Sequence, residues 1–260
     1  MKTAIVIPAR WNSSRMPGKP LLKETGKYLI QHVYEQCYKA SASTVVVATD
    51  DHRIVDAVEL FGGKAVMTSP NHVSGTDRVA EVAANLNADI IVNVQGDEPL
   101  VDPEHIDMVS RLIEEAGPRT AMATLASPIR TVEQWLDPSC VKVVCNNRGQ
   151  AIYFSRSPIP HVRDNKPDLK SRPSRFLQHI GIYAYTKKSL LRLSSMKPEP
   201  LEEAEQLEQL RAIQAGFAIK VGVVGHDGFG IDTREDYQRF SMWFLSLEKI
   251  VGKQKQDGQQ

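Results

Sequence analysis

Cysteine is scarce in this sequence, and its pattern excludes several classes of protein. The three cysteines, Cys37, Cys140 and Cys145, are odd in number and lack the spacing of a zinc site. No two of the seven histidines have the spacing of a metalloprotease or zinc-finger pair. No apolar run approaches the roughly 20 residues that a membrane-spanning helix needs. We therefore expect a cytoplasmic protein with reduced, buried thiols and no dedicated transition-metal site.

Net charge is also nearly absent. The 32 basic and 31 acidic residues leave a formal charge of +1, so nothing predicts a general attraction to nucleic acid or to an anionic membrane. Any anion must therefore be bound by a local cluster of cations. We expect no signal peptide, because Lys2 precedes a strand-like run that Pro8 ends too soon. At 260 residues and 42% hydrophobic composition, the chain is long enough for a large buried core.

The most informative stretch is residues 5–20, IVIPARWNSSRMPGKP. We predict a short strand over residues 3–7, which Pro8 should end because it has no N–H for a β-ladder. The loop that follows carries three cations, Arg10, Arg15 and Lys19. Small residues and fixed positive charges at a strand end can hold a polyphosphate. The alternative is an ordinary basic loop in solvent.

The first half of the chain alternates between strand and helix patterns. The predicted strands are 44–49, 64–67 and 90–94, and the predicted helices are 26–40, 54–61, 74–85 and 103–116. This alternation predicts βαβ units and a mostly parallel sheet. In such a sheet ligands bind beyond the carboxyl ends of the strands, where this chain has the cationic loop, residues 48–50 and residues 95–97.

The second half is richer in strand patterns. We predict strands at 122–126, 141–145, 151–154, 180–185 and 219–224, a hairpin turn at 146–149, and helices at 200–215 and 233–248. The proline-rich, basic segment at 157–175 predicts a lid, an arm or a contact between subunits. We expect one α/β domain over residues 1–250, with a subregion at about 130–185, and a frayed tail at 251–260.

Two aspartates are candidate metal ligands. Asp97 follows a predicted buried strand, where α/β enzymes hold a divalent metal against substrate phosphates, and a helix cap is its structural alternative. Asp232 precedes the closing helix, and taken alone it is slightly better explained as a cap of that helix. Together the two would suit Mg²⁺, which takes one or two protein carboxylates and leaves its other positions to phosphate and water.

Other polar residues have weaker patterns. Residues 74–78, SGTDR, could contact a base or a phosphate, although Ser or Thr before a helix is usually a cap. Taken alone, Glu208 and Gln209 on the predicted helix 200–215 are better explained as part of a solvated helix face. His179 and Tyr183 stand four apart in a predicted strand and would share a face, where a histidine is more often structural. The glycines form no GxGxxG and no Walker A motif, so dinucleotide and P-loop sites are excluded.

A set of motifs follows a fixed order along nearly the whole chain. They are IPAR and SR-x-PGKP within 7–20, VATD at 47–50, SGTDR at 74–78, NVQGDEP at 93–99, MATL at 122–125, VKVV at 141–144, YFSR at 153–156, HIGIYAY at 179–185, LEQLR at 207–211 and IDT at 231–233. In this order they resemble the CMP-Kdo synthetases (3-deoxy-manno-octulosonate cytidylyltransferases), sugar-activating enzymes of lipopolysaccharide biosynthesis. Single motifs occur in other nucleotidyltransferases, whereas the ordered set is specific.

The resemblance implies a fold and a reaction. The fold would be a three-layer, Rossmann-like nucleotidyltransferase with a mostly parallel mixed sheet and a smaller lobe, at about 130–185, for dimerisation and sugar binding. The reaction would be attack of the anomeric hydroxyl of Kdo on the α-phosphorus of CTP, giving CMP-Kdo and pyrophosphate. The resemblance also implies Mg²⁺ as cofactor and a homodimer.

It further implies a role for each matching residue. The phosphates of CTP would be bound by Arg10, Arg15 and Lys19, and the cytidine by Ala48, Ser74, Arg78 and Gln95. Mg²⁺ would be held by Asp97 and Asp232. The sugar acid would be surrounded by Gln95, Arg156, His179, Tyr183, Glu208 and Gln209. Lys19 and Arg10 would oppose the charge that develops as pyrophosphate leaves, and Arg156 would pair with the sugar carboxylate.

The chain departs from the family pattern at two places near the expected sugar pocket. Phe229 stands where the family commonly has a small polar residue, and residues 161–162, His-Val, stand where it often has tryptophan. The exact sugar therefore stays open, with 8-amino-Kdo and a sialic acid as alternatives to Kdo. A nucleotide-binding regulatory protein on the same fold is the non-enzymatic alternative. The presence of Asp97, Asp232 and Lys19 together argues against it.

Overall fold

The computed structural model describes residues 1–12, 16–116, 120–163, 167–170, 174–226 and 228–257. Its strands are β1 (Thr3–Ala9), β2 (Thr44–Thr49), β3 (Ala65–Met67), β4 (Ile90–Asn93), β5 (Thr120–Pro128), β6 (Lys142–Cys145), β7 (Ala151–Ser155), β8 (Leu177–Thr186) and β9 (Ala218–Val223). They form one sheet in the order β3-β2-β1-β4-β8-β5-β9, with the hairpin β6-β7 joined to β8. Along this order all pairs are parallel except those of β8, which is antiparallel to β4 and β5. The predicted, mostly parallel sheet is confirmed.

Helices connect these strands. They are α1 (Leu29–Cys37), α2 (His52–Leu60), α3 (Gly75–Asn85), α4 (Pro103–Glu114), α5 (Val132–Leu136), α6 (Lys187–Ser194), α7 (Pro200–Glu205), α8 (Gln209–Gln214) and α9 (Arg234–Asp257). A short 3-10 turn, Lys19–Leu21, follows the first loop. In the described ranges, no helix combines the length and the apolar character that crossing a bilayer requires.

The helices cover both faces of the sheet. Residues of β1 alternate between the faces, so that Val6 packs with α3 and α6 on one side while Ile5 and Ile7 pack with α1, α2 and α4 on the other. Both apolar faces of the strands are thereby buried, as the β-branched runs in β2 and β4 require. The result is a three-layer α/β fold.

Side-chain caps begin the helices that follow β2, β3 and β4. Asp51 accepts a hydrogen bond from the backbone N–H of Arg53, Ser74 from that of Asp77, and Asp102 from that of Glu104. The cap at Ser74 agrees with the structural alternative that the sequence offered for residues 74–78. The cap of α4 is Asp102, which leaves Asp97 available for another role.

Pro8 does not end the first strand, and the prediction of a strand over residues 3–7 was too short. β1 continues to Ala9, because its pairing with β2 extends through Pro8 and Ala9. The carbonyl of Pro8 faces Gly96, on the side where the paired part of β4 has already ended. A proline nitrogen on that side therefore leaves no ladder hydrogen bond unmade.

The predicted single helix over residues 200–215 is wrong. The chain forms two short helices, α7 and α8, and breaks between them at Gln206, which has a left-handed φ of 53°. An ion pair holds the two pieces together, with the guanidinium of Arg211 2.6 and 2.7 Å from the two carboxylate oxygens of Glu202. The break brings Glu208 and Gln209 to the start of α8.

The other elements of the second half of the chain include one that was predicted from the sequence and several that were not. Residues 146–149 form the predicted hairpin turn between β6 and β7, and Gly149 takes a left-handed φ of 66° there. Helices α5 and α6 were not predicted. The described parts of the segment 157–175 contain neither helix nor strand, and α9 continues to Asp257, well into the segment expected to be a frayed tail.

A buried lysine fastens the β6-β7 hairpin to its surroundings. Lys142 is fully buried, and its ammonium donates to three backbone carbonyls, those of Asp137, Cys140 and Arg156, at 2.6–2.8 Å. A charged donor with three acceptors satisfies its whole hydrogen-bonding capacity without a carboxylate partner. Lys142 thus fixes the backbone of Arg156.

We expect the substitution Lys142→Met to destabilise the protein by roughly 3 kcal/mol, because it leaves three enclosed carbonyls without a donor. Equilibrium unfolding in urea measures this loss. Lys220→Met is the matched control, since Lys220 also reaches a carbonyl, that of Arg148, but at an exposed site. Equal effects of the two substitutions would contradict the role assigned to burial.

Candidate active site

Two adjoining cavities lie at the carboxyl ends of β1 and β4. The larger has a volume of about 610 Å³ and the smaller about 320 Å³. Four residues line both of them: Gly75, Gln95, Glu208 and Asp232. The cavities therefore form two compartments of one site, and a ligand in one can reach a ligand in the other.

The smaller cavity is lined by cations and carboxylates. Arg10, Lys19 and Asp97 lie along it, together with the start of α3 at Ser74. The ammonium of Lys19 donates to Asp97 at 2.6 Å and to the carbonyl of Ile231 at 2.7 Å. The N-terminus of α3 adds backbone N–H groups and a positive dipole end. This compartment has the charge and the donors to bind an anion such as a polyphosphate.

Asp97 approaches β1 because a glycine precedes it. A Cβ on Gly96 would lie 2.8 Å from the carbonyl oxygen of Pro8, closer than such atoms can come. Any larger residue would push the loop after β4 away from the end of β1. Gly96 therefore sets the distance between Asp97 and the Lys19 loop.

Arg78 lines the smaller cavity and is also bound tightly by the protein. Its side chain is buried, and its guanidinium donates to Thr68 and, at 2.7 Å, to Asp50. These contacts connect α3 with the ends of β2 and β3. Arg78 reaches the smaller cavity as part of its wall, and its main contacts are to the protein.

The larger cavity brings together every residue expected at the sugar. It is lined by Gln95, Arg156, His179, Tyr183, Glu208 and Gln209, which come from the end of β4, the end of β7, β8 and the start of α8. His179 and Tyr183 share a face of β8 as predicted, with ring centroids 5.3 Å apart. Thr76 and Tyr185 line the same cavity, although no motif pointed to them individually.

Burial keeps the ring side chains of this cavity uncharged. It lowers the pKa of His179 to about 3 and raises the pKa of Tyr183 well above its ordinary value. Nε2 of His179 lies 2.9 Å from the hydroxyl oxygen of Thr124, and the carbonyl oxygens of Ile182 and Ile180 lie 2.8 and 3.1 Å from the same hydroxyl. The hydroxyl has one proton. If that proton is donated to a carbonyl of β8, Nε2 of His179 must be the donor in its contact with Thr124.

Glu208 stands where the two cavities meet. It is accessible from the cavity, yet desolvation still raises the pKa of its carboxyl, while hydrogen bonds with Thr76 and Ser74 act in the opposite direction. The carboxyl therefore lies at the N-terminus of α3. Next to it, Nε2 of Gln209 is buried and has no hydrogen-bond partner among the described residues, so it is available to a bound molecule.

Arg156 is held by the protein and still has donors to offer. Its guanidinium donates to the carbonyls of Glu205, Pro138 and Gln206 at 2.8, 3.1 and 3.4 Å. The carboxylate of Glu205 in turn accepts from the backbone of Arg156 at 2.9 Å and from Ser155 at 2.6 Å. Each terminal nitrogen of the guanidinium keeps a second N–H, which suits a carboxylate in the larger cavity.

Comparison with known proteins places these features in a family. Residues 4–220 match the cytidylyltransferase family. The chain is 48% identical to the 3-deoxy-manno-octulosonate cytidylyltransferase of Geobacter metallireducens, with 97% of this chain and 98% of that protein covered. The chain belongs to the 3-deoxy-manno-octulosonate cytidylyltransferase family. The relative of the same name from Geobacter sulfurreducens is also 48% identical, with 98% of this chain and 100% of that protein covered.

Solved structures agree with this family. The CMP:2-keto-3-deoxy-manno-octonic acid synthetase complexed with CTP is 43% identical, with a TM-score of 0.87 over 95% of this chain and 99% of that chain. A putative glucose-1-phosphate thymidylyltransferase from Bacillus anthracis is 16% identical, with a TM-score of 0.63 over 93% of this chain and 95% of that chain, and it shares the fold alone. The predicted nucleotidyltransferase fold is confirmed.

Not every residue expected from the cytidylyltransferase motifs is found among the described residues that line the two cavities. Ala48 is fully buried in β2 and belongs to the core, and Arg15 lies outside the described residues. Phe229 packs against the apolar cluster at the start of α9, and Arg239 lies over its ring at 5.9 Å. His161 is exposed. Neither Phe229 nor His161, the two departures from the family pattern, is among the residues that line the larger cavity.

From the lowered pKa of His179 we predict that the free energy of unfolding of this cytidylyltransferase family member depends on pH. Its pKa is about 3 in the folded protein, against an ordinary 6.5, so between these values the unfolded chain binds a proton that the folded protein does not. The free energy of unfolding should therefore fall as the pH is lowered from about 6.5 toward 3. His179→Gln, which keeps a donor for Thr124, should reduce this fall, as urea unfolding at pH 7 and 4.5 would measure.

A matched control is His52→Gln, because His52 is exposed at the start of α2. It should leave the pH dependence unchanged. Part of the dependence should persist in His179→Gln, since burial also lowers the pKa of His32 to about 4. An unchanged pH dependence in His179→Gln would show that His179 is not a buried neutral group.

Proposed function

We propose that this chain transfers the cytidylyl group of CTP to 3-deoxy-D-manno-octulosonate (Kdo), giving CMP-Kdo and pyrophosphate for lipopolysaccharide biosynthesis. The observation that carries the proposal is the pair of cavities that meet at Gln95, Glu208 and Asp232. One compartment has cations suited to a triphosphate, and the other has neutral ring and amide groups with an arginine suited to a sugar acid. The names of the relatives support the same two substrates.

The smaller cavity would hold the triphosphate. Arg10 and Lys19 reach it from the loop after β1, and the N-terminus of α3 adds N–H groups. Both cations would offset the negative charge that grows on pyrophosphate as the bond between the α-phosphorus and the bridging oxygen breaks. Arg15 would join them, as the family motif implies.

The carboxylates at this site fit a divalent cation. Asp97 and Asp232 line the same cavity, and carboxylate oxygens beside phosphates are the ligands that Mg²⁺ prefers. Bound Mg²⁺ would supply neutralisation of the phosphate charge. Because Lys19 contacts Asp97 in this structure, we infer that the lysine turns toward the nucleotide when the cation binds.

The larger cavity would hold the sugar acid. Arg156 would pair with the carboxylate, and the free amide donor of Gln209 with a sugar oxygen. Gln95 lines both compartments, so it would align the anomeric hydroxyl with the α-phosphorus. The hydroxyl oxygen would form the new bond to the α-phosphorus as the bond from that phosphorus to the bridging oxygen breaks. The hydroxyl proton would pass to water, and pyrophosphate would leave from the opposite side. Positioning and charge would therefore provide most of the rate.

The assay is pyrophosphate release from CTP and Mg²⁺ with Kdo, 8-amino-Kdo and N-acetylneuraminate in parallel. We expect the fastest release with Kdo, and a lower kcat by about 100-fold or more in Asp97→Asn, because a carboxylate that would hold Mg²⁺ beside the reacting phosphates is lost. Asp56→Asn, at an exposed position on α2, is the matched control.

Other results of this assay would change specific parts of the proposal. Faster release with 8-amino-Kdo would keep the chemistry and change the sugar. CTP binding without release from any of the three sugar acids would overturn the catalytic proposal and favour a regulatory protein that binds nucleotide. Unchanged kcat in Asp97→Asn would exclude that carboxylate from the reaction.

We further propose that the chain forms a homodimer through the subregion at about 130–185. Two large apolar side chains are exposed there, Leu136 at 55% on α5 and Ile152 at 56% on β7. Large apolar side chains that stay exposed in the single chain are candidates for burial at a subunit interface. The competing surface is α9, where Met242 is 65% exposed.

Light scattering during size-exclusion chromatography tests this assignment. We expect a dimer for the unmodified chain and a monomer for the double variant Leu136→Lys, Ile152→Lys, because two buried charges without partners would disfavour the interface. Met242→Lys is the control and should remain a dimer. Dissociation by Met242→Lys instead would move the interface to α9.

A further inference from the structure

A cluster of metal-ligand side chains lies outside the two cavities. Asp102 caps α4, His105 lies in the first turn of that helix, and His226 lies in the loop after β9. One ligand atom from each of the three lies within 4.8 Å of the others. Nε2 of His226 is 3.6 Å from Oδ2 of Asp102, and the two imidazole rings are 4.8 Å apart.

We propose that Asp102, His105 and His226 form a binding site for one divalent transition-metal ion of the zinc type, distinct from the Mg²⁺ carboxylates. Two imidazoles and one carboxylate suit Zn²⁺, whereas Mg²⁺ favours oxygen ligands alone. The fourth position would be left to water, as in open zinc sites.

The geometry needs only a small movement. Bond lengths of about 2 Å in a tetrahedral site separate the ligand atoms by roughly 3.3 Å, close to the 3.6 Å between His226 and Asp102. A cavity of about 20 Å³ lies beside the cluster, enough for a single ion or water molecule. His226 is exposed in its loop, so its ring is free to close on the ion.

Neighbouring groups also favour metal binding at this cluster. Oδ1 of Asp102 accepts from the backbone N–H of Glu104, which orients Oδ2 as the ligand atom. Glu98 lines the same small cavity and adds a carboxyl group next to the site.

An ion at this position would connect two segments of the proposed active site. Asp102 follows Asp97 by five residues, and His226 precedes Asp232 by six. The two segments already meet where the N–H of Ile231 donates to the carbonyl of Asp97 at 2.9 Å. The zinc-type ion would therefore act as a cross-link between the loops that carry both Mg²⁺ ligands.

The test is titration of the full, metal-stripped chain with Zn²⁺ in competition with a chromophoric chelator. We expect one equivalent to bind, and both His226→Ala and Asp102→Asn to weaken binding by at least about tenfold, because each removes one of three protein ligands. Asp102→Asn keeps the helix cap, since asparagine caps as well as aspartate. The control His52→Ala removes an exposed histidine elsewhere and should bind Zn²⁺ like the unmodified chain.

A second variant separates this site from the Mg²⁺ site. Asp97→Asn should keep the high-affinity Zn²⁺ site, and Co²⁺ bound to it should show the visible absorption of a four-coordinate ion, which is lost in His226→Ala. Absence of stoichiometric binding to the unmodified chain would overturn the proposal. So would unchanged binding in both ligand variants, or loss of binding in Asp97→Asn. Because the readout is metal binding, it does not depend on the proposed reaction.

Discussion

Strand β8 is the constraint on which the site depends, because it runs against the direction of its two neighbours in the sheet. A parallel sheet presents only strand ends to a ligand, and side chains along its strands are covered by helices. The antiparallel strand instead carries His179 and Tyr183 along one face into the larger cavity, while Ile180 and Ile182 of the other face pack in the core. The pairing of β5 with β8 changes register after Thr124, where Gly181 and Ile182 of β8 lie between successive pairs. The hydroxyl of Thr124 lies within hydrogen-bond distance of two carbonyls of β8 there.

The alternation of apolar runs was sufficient to predict the parallel half of the fold. In β2 and β4 the same residues that favour an extended chain are those that both helix layers bury, so local and tertiary preferences agree. Local and tertiary preferences disagree between α7 and α8. Every residue near Gln206 tolerates a helix, and the break follows from the pairing of Glu202 with Arg211, nine positions apart. Residues so spaced cannot meet on one straight helix, and single-residue propensities contain no such information.

The site could be predicted wherever a motif lies at a strand end, and less well where packing decides. Arg78 is a charged residue in a motif expected to contact the nucleotide, yet its guanidinium is bound to Asp50 inside the protein. Tyr185 lines the cavity only because the alternation of β8 places it on the same face as Tyr183. Histidine spacing along the sequence likewise gives no sign of the cluster of His105 and His226, since these residues are far apart in the chain and approach only through the fold.

The position of Lys19 has a consequence for the order in which ligands arrive. Its ammonium joins Asp97 to the carbonyl of Ile231, so one side chain bridges the loop after β4 and the loop before α9. The same charge cannot neutralise a carboxylate and a phosphate at once. If Asp97 holds the proposed cation, the lysine would compete with that cation while the nucleotide is absent. When a triphosphate attracted the lysine, the carboxylate would lose its counter-charge and gain affinity for the cation. Nucleotide and cation would then bind with positive cooperativity, each increasing the affinity for the other by the same factor.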